Sequence, residues 1–243
     1  MKNFIIYLKK IKNTFLTPRW NTIYNNFDNS FLKNNRNKYF FWFLNKFWFL
    51  PYDTRSRYWH TADENTKHSY KNYQSLDSKA KILLDEVRNY SFDKNIKILD
   101  LGCNIGRHLN ALKKSGFNNL YGVDIGKKPV HQSKKYFLDL KDVNIRCSSF
   151  EEYLYKTKSS FFQIIYTHGA TIELTKPTFP LISQISRVLD KNGYFILLIH
   201  ENGHSYPRFW RYEFKKNNLI IVYCEDLEEN HTLFVLKKKV INE

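Results

Sequence analysis

Residues 97–109, KILDLGCNIGRHL, run a buried strand straight into a glycine-bearing turn and then a helix, and no other stretch constrains the fold of this chain as strongly. Gly102 allows the sharp reversal after the strand, because glycine alone enters left-handed backbone regions without steric cost. The same strand-then-helix texture continues on both sides. DSKAKILLDEVRNY (77–90) opens on Asp77, a good helix N-cap, and places Ile82, Leu83 and Val87 on one face. After KILDLG (97–102) comes a helix over about 105–115, then the strand LYGVDI (120–125) and a helix over about 128–140. VNIRCSS (143–149), FQIIYTH (162–168) and GYFILLIH (193–200) read as the next strands, with a helix over about 178–190 between the last two. Such alternation requires right-handed crossovers and a parallel sheet, so the expected class is α/β. The tail breaks the pattern. After a helix near 207–217, LIIVYCED and HTLFVLKKK are separated by only a short turn region, which forces the two strands to pair antiparallel.

At 243 residues, with 42% hydrophobic and 26% charged residues, the chain can bury a full core and is not compositionally disordered. No uninterrupted apolar run exceeds six residues, far short of the roughly 20 that a spanning helix needs. The amino end breaks its apolar stretch with Lys2, Lys9, Lys10 and Lys12 and shows no small-residue cleavage site, so it does not read as a signal peptide. Cys103, Cys147 and Cys224 are odd in number and widely spaced. That argues against a disulfide framework or a structural metal site, and for a reducing, cytoplasmic setting.

The net charge of +16 makes nucleic acid or an anionic membrane a reasonable partner. Its distribution is uneven. Residues 1–57 hold 11 basic and 2 acidic side chains and 16 of the 42 aromatics, which marks them as a separate helical extension ahead of a domain at 58–243. Phe4, Ile5, Leu8, Ile11 and Phe15 follow the spacing of one helix face, and residues 39–51 form a dense aromatic cluster. Two readings of this segment stand: an extra layer packed on the domain, or a peripheral membrane anchor.

The chemistry concentrates around the glycine turn. A nicotinamide-dinucleotide fingerprint would need glycines at 104 and 107, where Asn104 and Arg107 stand. Asp124, at the end of the second strand and 22 residues after Gly102, is placed to accept hydrogen bonds from ribose hydroxyls. Together, Asp100-Leu101-Gly102-Cys103-Asn104-Ile105-Gly106 and Gly122-Val123-Asp124 resemble the class I S-adenosylmethionine-dependent methyltransferases. Their loop commonly reads D-x-G-C-G-x-G, so Asn104 departs at the middle glycine. The resemblance covers about residues 75–237 and implies a Rossmann-like fold with a seven-stranded, mostly parallel sheet and an antiparallel last strand.

It further implies S-adenosylmethionine as cofactor, contacted by Asp100, Gly102, Cys103, Asn104 and Gly106 in the loop and by Asp124 and Ile125 after the second strand. Ser149 and Phe150 would flank the adenine, and no metal is called for. Asp100 is expected to orient the loop through its backbone amides or to contact the helix start. Cys103 reads as a small residue packed in a tight loop, as most free cysteines are buried.

The run after the fourth strand, Tyr166-Thr167-His168-Gly169-Ala170, lacks the Asp/Asn-Pro-Pro-aromatic pattern of enzymes that methylate base amines. Histidines gather at strand ends instead: His168, His200 and His204. His168 is expected to serve as general base, with His204 second, because an ordinary imidazole titrates near neutral pH. Aromatic segments at 57–60 and 205–210 suit a sugar or other polar acceptor, and this set resembles methyltransferases of surface-glycan biosynthesis. The expected function is O-methylation of a sugar, glycan intermediate or other hydroxylated small molecule. The alternatives are an RNA or protein methyltransferase that grips its substrate with the basic extension, and a non-catalytic binding protein on the same fold.

Overall fold

The computed structural model describes residues 70–91, 93–170, 175, 179–200, 210–228 and 231–239. The extension 1–57, the boundary at 57/58, the aromatic segments at 57–60 and 205–209, and His204 lie outside them. Asp77 starts α1 (Ser78–Asn89) by accepting the Ala80 N–H at 2.7 Å, as its cap chemistry leads one to expect. The helix buries Ala80, Leu83, Leu84 and Val87. Ile82 lies to one side of that stripe and is only partly buried.

The strands are β1 (Ile98–Leu101), β2 (Leu120–Asp124), β3 (Asn144–Cys147), β4 (Phe162–His168), β5 (Leu189–His200), β6 (Leu219–Leu227) and β7 (His231–Lys238). They form one seven-stranded sheet in the order β3-β2-β1-β4-β5-β7-β6. Strands β1 to β5 pair parallel, and β7 lies antiparallel between β5 and β6. This is the Rossmann-like class I methyltransferase fold. Between the strands run α2 (Arg107–Lys114), α3 (Lys127–Tyr136), α4 (Phe150–Lys156), α5 (Leu181–Val188) and α6 (Trp210–Lys216).

Alternating side chains of β5 divide the core in two. Phe195, Leu197 and Ile199 join α4, α5 and α6 residues such as Leu154, Ile185 and Phe214 on one face. Ile196 and Leu198 join Leu83, Val87, Leu109 and Leu112 of α1 and α2 on the other. Two elements differ from expectation. Strand β5 begins at Leu189 rather than Gly193, because Leu189 pairs with Phe162 before a register shift brings Tyr194 opposite Ile164. Helix α4 was not foreseen. The sheet reverses order at β1, which has β2 on one side and β4 on the other, and that is where α/β sheets open a crevice at the carboxyl ends of their strands.

Candidate active site

The turn after β1 is laid onto β2 by backbone bonds: the Gly102 and Cys103 N–H groups both donate to the Val123 carbonyl, at 2.8 and 3.1 Å. Gly102 has φ +89°, and a Cβ built there would stand 2.2 Å from the Ala170 Cβ. Glycine is therefore required twice over, by backbone conformation and by the approach of the chain that follows β4. Asn104 also sits in the left-handed region, at φ +49°. Asparagine is among the few residues that accept it, so replacing the family's middle glycine leaves the loop shape unchanged. Its side-chain oxygen accepts the Ile105 N–H at 2.8 Å. Gly106, the N-cap of α2, has φ +84°, but its Cβ position points at Leu140 rather than at an open cradle.

Asp124 closes the loop from the side. Its Oδ2 accepts the Asn104 N–H at 2.9 Å and its Oδ1 accepts the Gly126 N–H at 2.7 Å. Each carboxylate oxygen keeps a second lone pair, so two ribose hydroxyls can still be accepted. Burial pushes its carboxyl up to about 6, against the pull of those two amides. Ile125 beside it is buried, and its carbonyl accepts from the Cys147 thiol. Burial likewise raises the Cys103 thiol well above its ordinary range, which leaves it an inert packing group.

Ser149 and Phe150 each also have a structural duty. The Ser149 hydroxyl accepts the Glu152 N–H at 3.2 Å and caps α4. Phe150 is 1% exposed, packed in the core with its ring edge beneath Gly102. Of the two contacts expected of Asp100, the one with the helix start is found. None of the loop amides donates to its carboxylate, and His108 Nδ1, in the first turn of α2, stands 3.6 Å from it. Strand pairing sets Tyr166 beside Asp100 on the same face, with the phenol buried and held well above its usual pKa first by that burial.

His168 ends β4 above this group. Its imidazole stacks on His108, with ring centroids 5.6 Å apart and planes 20° from parallel. Burial pushes its pKa down to about 3, helped by His108 and opposed by Asp77. In place of the ordinary imidazole expected from sequence, desolvation leaves a neutral, weakly basic one. Thr167 donates to the Leu101 carbonyl at 2.8 Å, tying the end of β4 to the end of β1. Arg107, absent from the sequence-based site, ties the start of α2 to the segment ahead of α1. Its guanidinium donates to the Ser75 carbonyl at 2.7 Å and to Asp77 Oδ2 at 3.2 Å, and lies 5.3 Å over the Tyr73 ring. Burial alone would raise the Asp77 carboxyl, but the Ala80 amide and Arg107 outweigh it and hold it below its ordinary value. Two residues missed in sequence, Arg107 and His108, directly follow Gly106; their position at the helix start was the available signal. No His, Cys, Asp or Glu group among the described residues is arranged to hold a metal.

Residues 99–197 match a family model described as a methyltransferase domain. Among solved structures, the chain is similar to a SAM-dependent methyltransferase from Aquifex aeolicus, at 15% identity over 69% of this chain and 96% of that one, with TM-score 0.54. It is also similar to geranyl diphosphate C-methyltransferase from Streptomyces coelicolor A3(2), solved with Mg2+, geranyl diphosphate and S-adenosyl-L-homocysteine. There the identity is 12%, covering 77% and 98% of the two chains, with TM-score 0.60. A TehB-like SAM-dependent methyltransferase from Corynebacterium glutamicum matches at 17%, over 70% and 98%, with TM-score 0.52. At such identities the likeness shows the fold. No curated protein sequence matches. The family match over residues 99–197, joined to this strand order and loop, gives the chain a methyltransferase domain with the class I S-adenosylmethionine-dependent fold.

Proposed function

We propose that this enzyme methylates an oxygen of a sugar, a glycan intermediate or another hydroxylated small molecule, with His168 taking the proton. The observation that carries the reading is the path of the chain after β4: Ala170 packs against Gly102, so β4, whose last residue is His168, ends beside the turn proposed to cradle the cofactor. S-adenosylmethionine supplies an electrophilic methyl group on a sulfonium. The chain's own contribution is to hold acceptor and donor in line and to manage the acceptor's proton.

The loop residues Gly102, Cys103 and Asn104 fit the amino-acid end of the cofactor, Asp124 fits its ribose, and Ile125 offers an apolar wall. A hydroxyl becomes acidic only as its bond to carbon forms. Burial pushes the His168 pKa down to about 3, so its imidazole is neutral and able to accept a proton throughout the physiological range, as a weak base. The role of His204 as a second base rests on sequence alone, as does membrane contact through residues 1–57.

The test is incubation of the full chain with methyl-labelled S-adenosylmethionine and fractionated extract. Label in the glycan or small-molecule fraction supports the reading. Label confined to RNA or protein overturns it, and absence of label despite cofactor binding points to a binding protein.

A further inference from the structure

Helix α3 (Lys127–Tyr136) buries only Ser133, an unusual condition for a helix that flanks a sheet. At 100° per residue, Lys127, Lys128, His131, Lys134 and Lys135 fall within an arc of about 120°, and the helix contains no acidic residue. Lys127, Lys134 and Lys135 are exposed, and Lys134 Nζ donates to the Lys141 carbonyl at 2.8 Å, drawing Lys141 into the same surface. From Lys127 to Arg146 the chain holds six Lys or Arg against Asp139 and Asp142. The 3-10 turn after the helix, Leu138–Leu140, sends Leu140 into the core and Leu138 outward. Leu138 is 66% exposed, the most exposed large apolar side chain among the described residues.

We propose that this face of α3, with Leu138 at its end, is a docking surface for an anionic lipid bilayer. Lysine headgroups on one helix face meet phosphate and carboxylate at the membrane surface, and an aliphatic side chain beside them enters the acyl boundary. Leucine decides between partners of negative charge. A nucleic acid satisfies the lysines but offers nothing to an exposed aliphatic group, whereas a bilayer takes both. The surface begins at Lys127, one residue after the Gly126 whose N–H Asp124 accepts, and runs from there to Leu138; the inference does not depend on which acceptor is methylated. Stable peripheral attachment usually needs two signals. The domain carries this one whether or not residues 1–57 supply another.

The experiment uses the full chain with vesicles of phosphatidylcholine alone and with phosphatidylserine added. Each lysine near an anionic surface strengthens association by about fivefold. The quadruple variant Lys127→Gln, Lys128→Gln, Lys134→Gln, Lys135→Gln should therefore lose on the order of a hundredfold once screening by salt is included. Leu138→Ser should weaken binding further without changing its salt dependence. In the unaltered protein, reductive methylation of Lys127, Lys134 and Lys135 should be suppressed by the phosphatidylserine vesicles. Equal binding by the quadruple variant, equal labelling with and without vesicles, or equal affinity for the neutral vesicles would each overturn the proposal. So would failure of the full chain to bind vesicles while it binds single-stranded RNA with a steep salt dependence.

Discussion

Cofactor affinity should fall with acidity through one group, Asp124. Its buried carboxyl titrates at about 6 in the empty protein, against an ordinary value of 3.8. The folded form thus holds this proton more tightly than the unfolded chain does. The empty fold gains stability as pH falls from about 6 toward 3.8, and at neutral pH it carries the cost of the buried charge. That cost is about 3 kcal/mol, at about 1.4 kcal/mol for each factor of ten. Two ribose hydroxyls are accepted more strongly by the ionised carboxylate than by the protonated one, which has an O–H of its own to place, so binding returns the group toward its ordinary acidity. Between roughly pH 8 and pH 5 the empty site becomes about nine-tenths protonated, and S-adenosylhomocysteine should bind about tenfold more weakly at the lower pH. The ligand's own amino and carboxyl groups keep their charges over most of that range, and His168 titrates well below it. Calorimetric titration across the range measures the slope. Asp124→Asn should bind weakly with little dependence on pH. A wild-type affinity constant from pH 8 to 5, or an equal slope in Asp124→Asn, would refute the reasoning.

Gly102→Ala should lose about 2–5 kcal/mol in urea unfolding, from left-handed backbone strain plus overpacking against Ala170. Adding Ala170→Gly should restore the overpacking part only, and a double variant no more stable than the single one would contradict the contact. His168→Ala should cut turnover by about 10²–10⁴-fold with cofactor affinity nearly intact, read from single-turnover rates and binding. The wild-type rate should show no ionisation of His168 between pH 5 and 8; an acid limb near 6.5 that vanishes in the variant would count against the depressed pKa. Asp77→Ala should cost at least about 1 kcal/mol of thermal stability through the lost cap, and more if the Arg107 guanidinium is left without its partner.

How much of this could be read from sequence depends on whether the signal is local. β4 runs from Phe162 to His168 as its apolar pattern predicts, and the close spacing of β6 and β7 correctly forced them antiparallel. Helix α4 carried a local signal that went unused: Ser149-Phe150-Glu151-Glu152 is the S-x-x-E pattern that opens a helix, and Ser149 does cap it. The start of β5 was misplaced because Asp190-Lys191-Asn192-Gly193 has turn composition, while the pairing of Leu189 with Phe162 is a long-range fact. The candidate site divides in the same way. Gly102 and Asp124 announce themselves by spacing along the chain. The meeting of Asp100, His108 and Tyr166, and the desolvation of His168, arise only when α2 is laid over β1 and β4.

The position of β7 carries a consequence for how the molecule is assembled. In the chain β6 precedes β7, but in the sheet β7 separates β6 from β5. During synthesis β6 emerges with no strand to join, and β5 shows a bare edge of Tyr194 to His200 until residues 231–237 arrive to pair with it. Closure must therefore come late and through contacts distant in sequence, the slow kind. Until then the hydrophobic rows of β5 are open to the strand of any neighbouring chain. Substitutions that weaken β7, such as a proline at Phe234 or Val235, should accordingly appear first as lost soluble yield on expression, before any change in the chemistry at the far end of the sheet.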